Sequence, residues 1–314
     1  MTQGDSRSDT FKTRDAASYD SVTWEFDRYT ELLTQPLAAH LVRLARLKPS
    51  DHVLDIGTGT GVVAFRVANQ LSAEGRVLGV DLSEGMLAAA RVKAGSAALG
   101  GRVEFRRMDA EALDLPDGAF DAVVSLFALL HFPDPLKALR EMFRVLRPRG
   151  RLVVAVGSGP RLVSRAGVVE IIRHLRDWGS KARGRLLTAP RFLEALARQH
   201  FPVAQEPEES PVAQRHRNRS GVVPGLVHGA GFTNLQTDWE GHQAVIATPE
   251  EFWELQCTFS SIARKRLASA SPEQREALRE EFMVRCRQVQ ARGGRLVYPF
   301  AAFFVVAKRP AEKQ

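Results

Sequence analysis

Val53-Leu54-Asp55-Ile56-Gly57-Thr58-Gly59-Thr60-Gly61 is a short apolar strand running into a turn with glycine at every second position. Val62, Val63, Phe65, Val67 and Ala68 then continue as a helix. Such a unit brings backbone N–H groups and a helix N-terminus close to a ligand, because glycine has no Cβ to block the approach. Asp55 lies inside the strand end, and Asp81 closes the next strand, Val77-Leu78-Gly79-Val80. An acid there is placed to hydrogen-bond both hydroxyls of a ribose. Its plainer alternative is to cap the following helix.

Outward from this unit the pattern repeats. A helix over about 60–72 follows the first strand, and one over about 83–95, with Ser83 as its N-cap, follows the second. A third strand spans 103–107 and ends at Met108-Asp109-Ala110; a fourth is Phe120–Ser125. Asp134-Pro135 starts a helix with Leu136, Leu139, Met142, Phe143 and Leu146 at spacings of three and four, and a fifth strand covers 151–156. Strands alternating with helices imply a parallel sheet covered on both faces.

Before the sheet, residues 1–15 lack periodicity and read as a disordered tail. Tyr19 to Leu47 is helical in pattern, divided by Pro36. After Gly157 the rhythm changes. Helical patterns at 162–178 and 190–200 lead into a polar stretch at 202–224, a sixth strand at about 232–239, helices at 249–255 and 271–291, and a last strand at 298–308. Four parts are expected: 1–48, tail and helical lid; 49–157, cofactor-binding α/β core; 158–228, basic helical insert; and 229–314, completion of the sheet with a helical insertion at 249–291.

Of the 314 residues, 44% are hydrophobic and 25% charged, the balance of a soluble globular protein, and no apolar run approaches the roughly 20 residues of a membrane span. The polar segment Met1–Arg14 does not read as a secretory signal. Cys257 and Cys286 match no zinc spacing, and His216, His228 and His242 have no ligand-like spacing, so a reducing cytoplasm and no metal are expected. The net charge of +8 favours anionic partners, and 161–220 carries twelve Lys/Arg against six Asp/Glu. The bases are scattered arginines without interleaved aromatics, so nucleic acid is not the expected partner.

The segment 53–61 is similar to motif I of the class I S-adenosylmethionine-dependent methyltransferases. Val80-Asp81-Leu82-Ser83-Glu84-Gly85-Met86-Leu87, Asp109-Ala110-Glu111, Phe120-Asp121-Ala122-Val123-Val124-Ser125 and Leu146-Arg147-Pro148-Arg149-Gly150-Arg151-Leu152 agree with later segments in the same order. The last departs at Arg149, where the family usually has glycine. The set most resembles the small-molecule branch that includes the ubiquinone/menaquinone-biosynthesis C-methyltransferases.

The resemblance implies a Rossmann-like, seven-stranded, mostly parallel sheet with an antiparallel last strand, N-terminal helices and helical insertions. It implies S-adenosylmethionine as cofactor, S-adenosylhomocysteine as product, and a small-molecule methyl acceptor. Asp55 would orient the loop or face the cofactor's ammonium, and Gly57, Thr58, Gly59, Thr60 and Gly61 would cradle its amino acid portion. Asp81 would take the ribose hydroxyls, and Leu82 or Met86 would flank the adenine. Asp109 and the Ala110 N–H would meet the adenine edge, and Ser125 the methionyl part. Asp81 and Asp109 gain weight from standing at successive strand ends.

Methyl transfer is an in-line displacement that sometimes needs a base. His131, just past the fourth strand, is placed for that role or for packing in its loop. Tyr19, Trp24, Phe26 and Tyr29 would form an aromatic lid over the sulfonium, or an ordinary packed helix. Residues 158–228 and 249–291 would roof an acceptor pocket. Ser125-Leu126-Phe127-Ala128 lacks the segment used on exocyclic amines of nucleic acid bases, which points to oxygen or carbon of a small acceptor, quinone-like or a secondary metabolite. The acceptor's identity and the oligomeric state, a homodimer included, stay open. Two competitors are an RNA-binding methyltransferase or inactive cofactor-binding module, and an NAD(P)-dependent oxidoreductase. Against the latter stand the Gly-x-Gly-x-Gly spacing, the acid at Asp109 and the lack of a Tyr-x-x-x-Lys pair.

Overall fold

Three helices precede the first strand in the computed structural model, which describes residues 3–97, 99, 101–159, 167–172, 184–201 and 220–311. They are α1 (Gln3–Asp20), α2 (Thr23–Leu33) and α3 (Gln35–Ala45). The break between α2 and α3 falls at Thr34, with Pro36 inside the first turn of α3, where a missing N–H costs nothing. The expected disordered tail is therefore corrected: all but its first two residues lie in α1. Phe11 is buried, and Lys12, Asp15 and Asp20 each find a partner on the body of the protein. These tertiary contacts order a segment whose own periodicity is too weak to reveal it.

The alternating pattern then appears as read: β1 (His52–Ile56), α4 (Val62–Ala68), β2 (Arg76–Asp81), α5 (Glu84–Ser96), β3 (Val103–Arg107), β4 (Phe120–Leu126), α6 (Pro135–Val145) and β5 (Leu146–Gly157). Further strands are β6 (Leu186–Thr188), β7 (Thr233–Ile246) and β8 (Arg295–Lys308). Ser83 accepts from the Met86 N–H at 3.1 Å and Asp134 from the Lys137 N–H at 2.9 Å, so both expected N-caps are formed.

Contacts divide the chain into two units, residues 1–159, 209–240 and 301–314, and residues 160–208 and 241–300. In the first, the strand order is β3-β2-β1-β4-β5-β8. The first five strands are parallel, and β8 runs antiparallel to β5 from Arg151 against Lys308 to Gly157 against Ala302. β7 pairs with β8. The sheet is the Rossmann-like, mostly parallel architecture with an antiparallel strand beside it. Its interior positions Val53, Leu54, Ile56, Val123, Val124 and Val153 are fully enclosed.

The second unit holds helices Arg191–His200, Pro249–Phe259, Ser261–Ser269 and Pro272–Ala291. Phe192, Phe252 and Phe282 pack together there, and Ser271 and Gln274 form a reciprocal capping box. The strand β6, absent from the sequence reading, runs parallel to β8 with Leu186 against Arg295, so that the described residues hold eight strands where seven were expected. Three residues carry too little alternation to be seen in advance. Most of the expected 162–178 helix and of the polar stretch 202–224 lies outside the described residues. No helix among the described residues is long and apolar enough to cross a membrane.

Candidate active site

The glycine turn begins where β1 ends. Gly57, Gly59 and Gly61 all have positive φ, at 68°, 54° and 90°, a region that costs an L side chain energy. The Gly57 and Thr58 N–H groups both donate to the Val80 carbonyl, at 2.8 and 3.0 Å, which fastens the turn to β2. The three glycines then differ. A Cβ on Gly57 would stand 2.2 Å from Ala128 Cβ, and one on Gly61 2.6 Å from Phe65 Cε2. At Gly59 the nearest atom to such a Cβ is Phe26 Cε1 at 3.9 Å. The outer two glycines serve packing, and the middle one presents backbone that a ligand can approach.

Thr58 Oγ1 donates to Asp55 Oδ2 at 2.7 Å. Asp55 is almost wholly enclosed, and that burial, reinforced by the Asp81 charge against the Thr58 hydrogen bond, pushes its pKa up to about 7. Asp55 is thus bonded to Thr58 of the turn. Two other hydroxyls, Thr60 Oγ1 in the turn and Ser125 Oγ on β4, are buried and have no hydrogen-bond partner among the described residues. A buried polar atom without a partner is costly.

Asp81 does not cap α5, since Ser83 does. Its Oδ2 accepts from the Gly59 N–H at 2.9 Å and its Oδ1 from the Ser83 N–H at 3.0 Å. Burial raises its pKa, while these backbone bonds pull it the other way. Each carboxylate oxygen retains a further acceptor site. Leu82 is half-buried, with its carbonyl taken by Arg107 Nε at 3.1 Å; Met86 and Ala110 are buried.

Helix α1 closes over this sheet end. Lys12 Nζ donates to Asp109 Oδ2 at 2.7 Å and to Glu111 Oε2 at 2.8 Å. Burial works against the ammonium, but these two hydrogen bonds outweigh it and raise the Lys12 pKa. Asp109 Oδ1 also accepts from the Glu111 N–H at 2.9 Å, and Glu111 Oε1 from the Asp134 N–H at 2.9 Å. Asp20 Oδ1 accepts from the Ser83 hydroxyl at 2.5 Å and the Gly85 N–H at 2.9 Å. Lys12, Asp15 and Asp20 escaped the sequence reading, because nothing in a polar segment says which side chains will find partners 63 to 116 residues away.

His131 is brought together with α1. Its Nδ1 lies 3.2 Å from Asp15 Oδ2 and its Nε2 3.5 Å from the Tyr19 hydroxyl. Tyr19 meets the His131 and Phe26 rings edge-on, at centroid distances of 5.8 and 6.1 Å. So Tyr19 and Phe26 of the expected aromatic lid gather here. Trp24 is 78% exposed, and Tyr29 is buried with Arg28 over its ring. Just past β4, Phe127 has φ 66°, a conformation uncommon outside glycine, and delivers Ala128 against Gly57. Among the described residues, no group of three or more His, Cys, Asp or Glu could hold a metal ion.

Residues 54–154 match a family model described as a methyltransferase domain, about a third of the chain. Among curated proteins, the chain is 39% identical over 120 residues to the ubiquinone/menaquinone biosynthesis C-methyltransferase UbiE of Geobacter sulfurreducens, covering 38% of this chain and 47% of that protein. It is 47% identical over 113 residues to the demethylmenaquinone methyltransferase of Thermus thermophilus, covering 36% and 50%. The chain spans about half the length of the curated relatives it matches. Among solved structures, the YcgJ protein of Bacillus subtilis superposes with a TM-score of 0.52 at 20% identity, covering 87% of this chain and 97% of that one, a likeness of fold. The chain resembles the class I S-adenosylmethionine-dependent methyltransferases, as its motifs implied.

Proposed function

We propose that this protein is an S-adenosylmethionine-dependent methyltransferase acting on oxygen or carbon of a small, quinone-like acceptor. The observation that carries the reading is the approachable backbone at Gly59, bonded to Asp81 and accompanied by two buried hydroxyls without partners, Thr60 and Ser125. These groups fit a ligand with an amino acid end and a ribose. Gly57 to Gly61 and Ser125 would hold the amino acid portion, and the free acceptor sites of Asp81 would take the ribose hydroxyls. Leu82, Met86, Asp109 and Ala110 would bound the adenine. Bound there, the cofactor supplies a methyl group on a positively charged sulfur, ready for in-line displacement.

The protein's own contribution is positional and protolytic. Tyr19 and Phe26 offer aromatic faces, which favour a nearby cation. A hydroxylated acceptor becomes a nucleophile when its proton leaves, and His131 would take that proton on a ring nitrogen. The names of the relatives, a ubiquinone/menaquinone biosynthesis C-methyltransferase and a demethylmenaquinone methyltransferase, support a quinone-like acceptor class.

The test is thermal unfolding with S-adenosylmethionine, S-adenosylhomocysteine, NAD and NADP in turn. A ligand at about 100 times its Kd stabilises the native state by about 2.7 kcal/mol. The adenosyl ligands alone should shift the melt, and Asp81→Ala should abolish the shift. A shift with NAD or NADP alone would overturn the reading. Binding of S-adenosylmethionine without turnover of any hydroxylated acceptor would identify a cofactor-binding module instead.

A further inference from the structure

Asp15 reaches from α1 to the loop after β4 and meets His131. Its Oδ2 lies 3.2 Å from His131 Nδ1, and it is 8% exposed, whereas the His131 side chain is 39% exposed. A neutral imidazole carries its proton on one nitrogen and a lone pair on the other, and a carboxylate that accepts from one nitrogen fixes which is which. The second nitrogen, Nε2, is 3.5 Å from the Tyr19 hydroxyl, and the two rings meet edge-on. At that distance Tyr19 steers the ring more than it engages the lone pair.

We propose that Asp15 is a positioning residue for His131, keeping the proton on Nδ1 and the lone pair on Nε2. This rests on the reading of His131 as the group that takes the acceptor's proton. The O–H bond of the acceptor breaks, its proton passes to Nε2, and the electron pair stays on the acceptor as the nucleophile. The ring then carries a positive charge beside the Asp15 carboxylate, with Asp81 a second negative charge within electrostatic reach. The arrangement ties proton removal to the docking of α1, which supplies the orienting carboxylate.

The decisive measurement is the 15N signature of the His131 ring in the protein without acceptor, assigned by comparison with His131→Gln. The wild type should show the neutral ring protonated on Nδ1. Asp15→Ala should lose that preference while its backbone amide spectrum stays that of a folded chain, and Asp15→Glu should restore it at least in part. Turnover with S-adenosylmethionine and 1,4-dihydroxynaphthalene should fall about 10- to 1,000-fold in kcat for Asp15→Ala, with KM for both within about threefold. A wild-type ring protonated on Nε2, or ring signals unchanged by Asp15→Ala, would overturn the proposal. Unchanged turnover in His131→Gln would instead defeat the base reading, whatever the ring signals show.

Discussion

Replacing Gly57 and Gly59 by alanine, one at a time, separates glycine required by packing from glycine required by a ligand. At Gly57 a Cβ would sit 2.2 Å from Ala128 Cβ, well inside contact distance, at a φ of 68°. The left-handed conformation costs an alanine about 1 kcal/mol, and forcing Ala128 aside in a packed loop costs about 1–3 kcal/mol more. Gly57→Ala should therefore lose about 2–4 kcal/mol in a urea melt without ligand. At Gly59, φ is 54° and the nearest atom is 3.9 Å away, so only the conformational cost of about 1 kcal/mol applies. Its methyl group would nevertheless stand where a ligand approaches the Gly59 backbone. Gly59→Ala should melt almost like the wild type yet bind S-adenosylhomocysteine at least about tenfold more weakly by calorimetry, the equivalent of 1.4 kcal/mol. A Gly59→Ala variant as unstable as Gly57→Ala, or one that binds S-adenosylhomocysteine with wild-type affinity, would overturn this contrast between the two glycines.

Three further perturbations follow from single contacts. Asp55 is raised from 3.8 to about 7, so between those values the folded state holds a proton the unfolded chain has released, and stability falls as pH rises through that window. At 1.36 kcal/mol per unit, the upper bound is about 4 kcal/mol lost by pH 8; the difference between wild-type and Asp55→Asn urea melts should change in that direction from pH 4 to 8, and a flat difference would refute it. Lys12→Met should loosen α1 by about 1–3 kcal/mol, because Asp109 and Glu111 lose their shared cation; faster hydrogen exchange confined to the α1 amides is the check. Arg149 has φ 66°, and Arg149→Gly should leave stability unchanged or raise it by up to about 1 kcal/mol, whereas a loss beyond that in thermal melts would refute the strain argument.

Arg149 also shows how far the sequence could be read. Its departure from the glycine usual in similar sequences was visible at once, and the left-handed backbone there explains why glycine is usual. The sheet was legible because the central strands β1, β2, β4 and β5 carry short runs of Val, Leu, Ile and Ala and alternate with helices of 3.6-residue period. Ser83 and Asp134 announced their helices because caps act locally. Asp81 at a strand end was legible for the same reason, its position being set by a few residues on either side.

What stayed hidden depends on partners distant in the chain. Helix α1 is mostly polar, and its side chains find their places against residues far along the chain, among them Asp109, Glu111, Ser83 and His131. The contrast between Gly57 and Gly59 could not be read from two identical letters, because it lies in Ala128 and Phe26. Nor could Phe127 be picked out, as its backbone is bent by the loop it enters.

The contacts of α1 also bear on the order in which the chain can assemble as it leaves the ribosome. Lys12 pairs with a residue 97 positions later, and Asp15 with one 116 positions later. The helix is made before its partners and has nothing to dock on until β3, β4 and the loop beyond them have emerged, and synthesis at about 5–20 residues per second leaves it waiting for several seconds. It must remain soluble meanwhile, which a polar helix does and an apolar one would not. Docking such a segment pays the closure entropy of a long loop, so α1 should join late, after the central strands have paired. A helix made before the elements it docks on is thus among the last to find its place, and the Asp15–His131 pair exists only once it has.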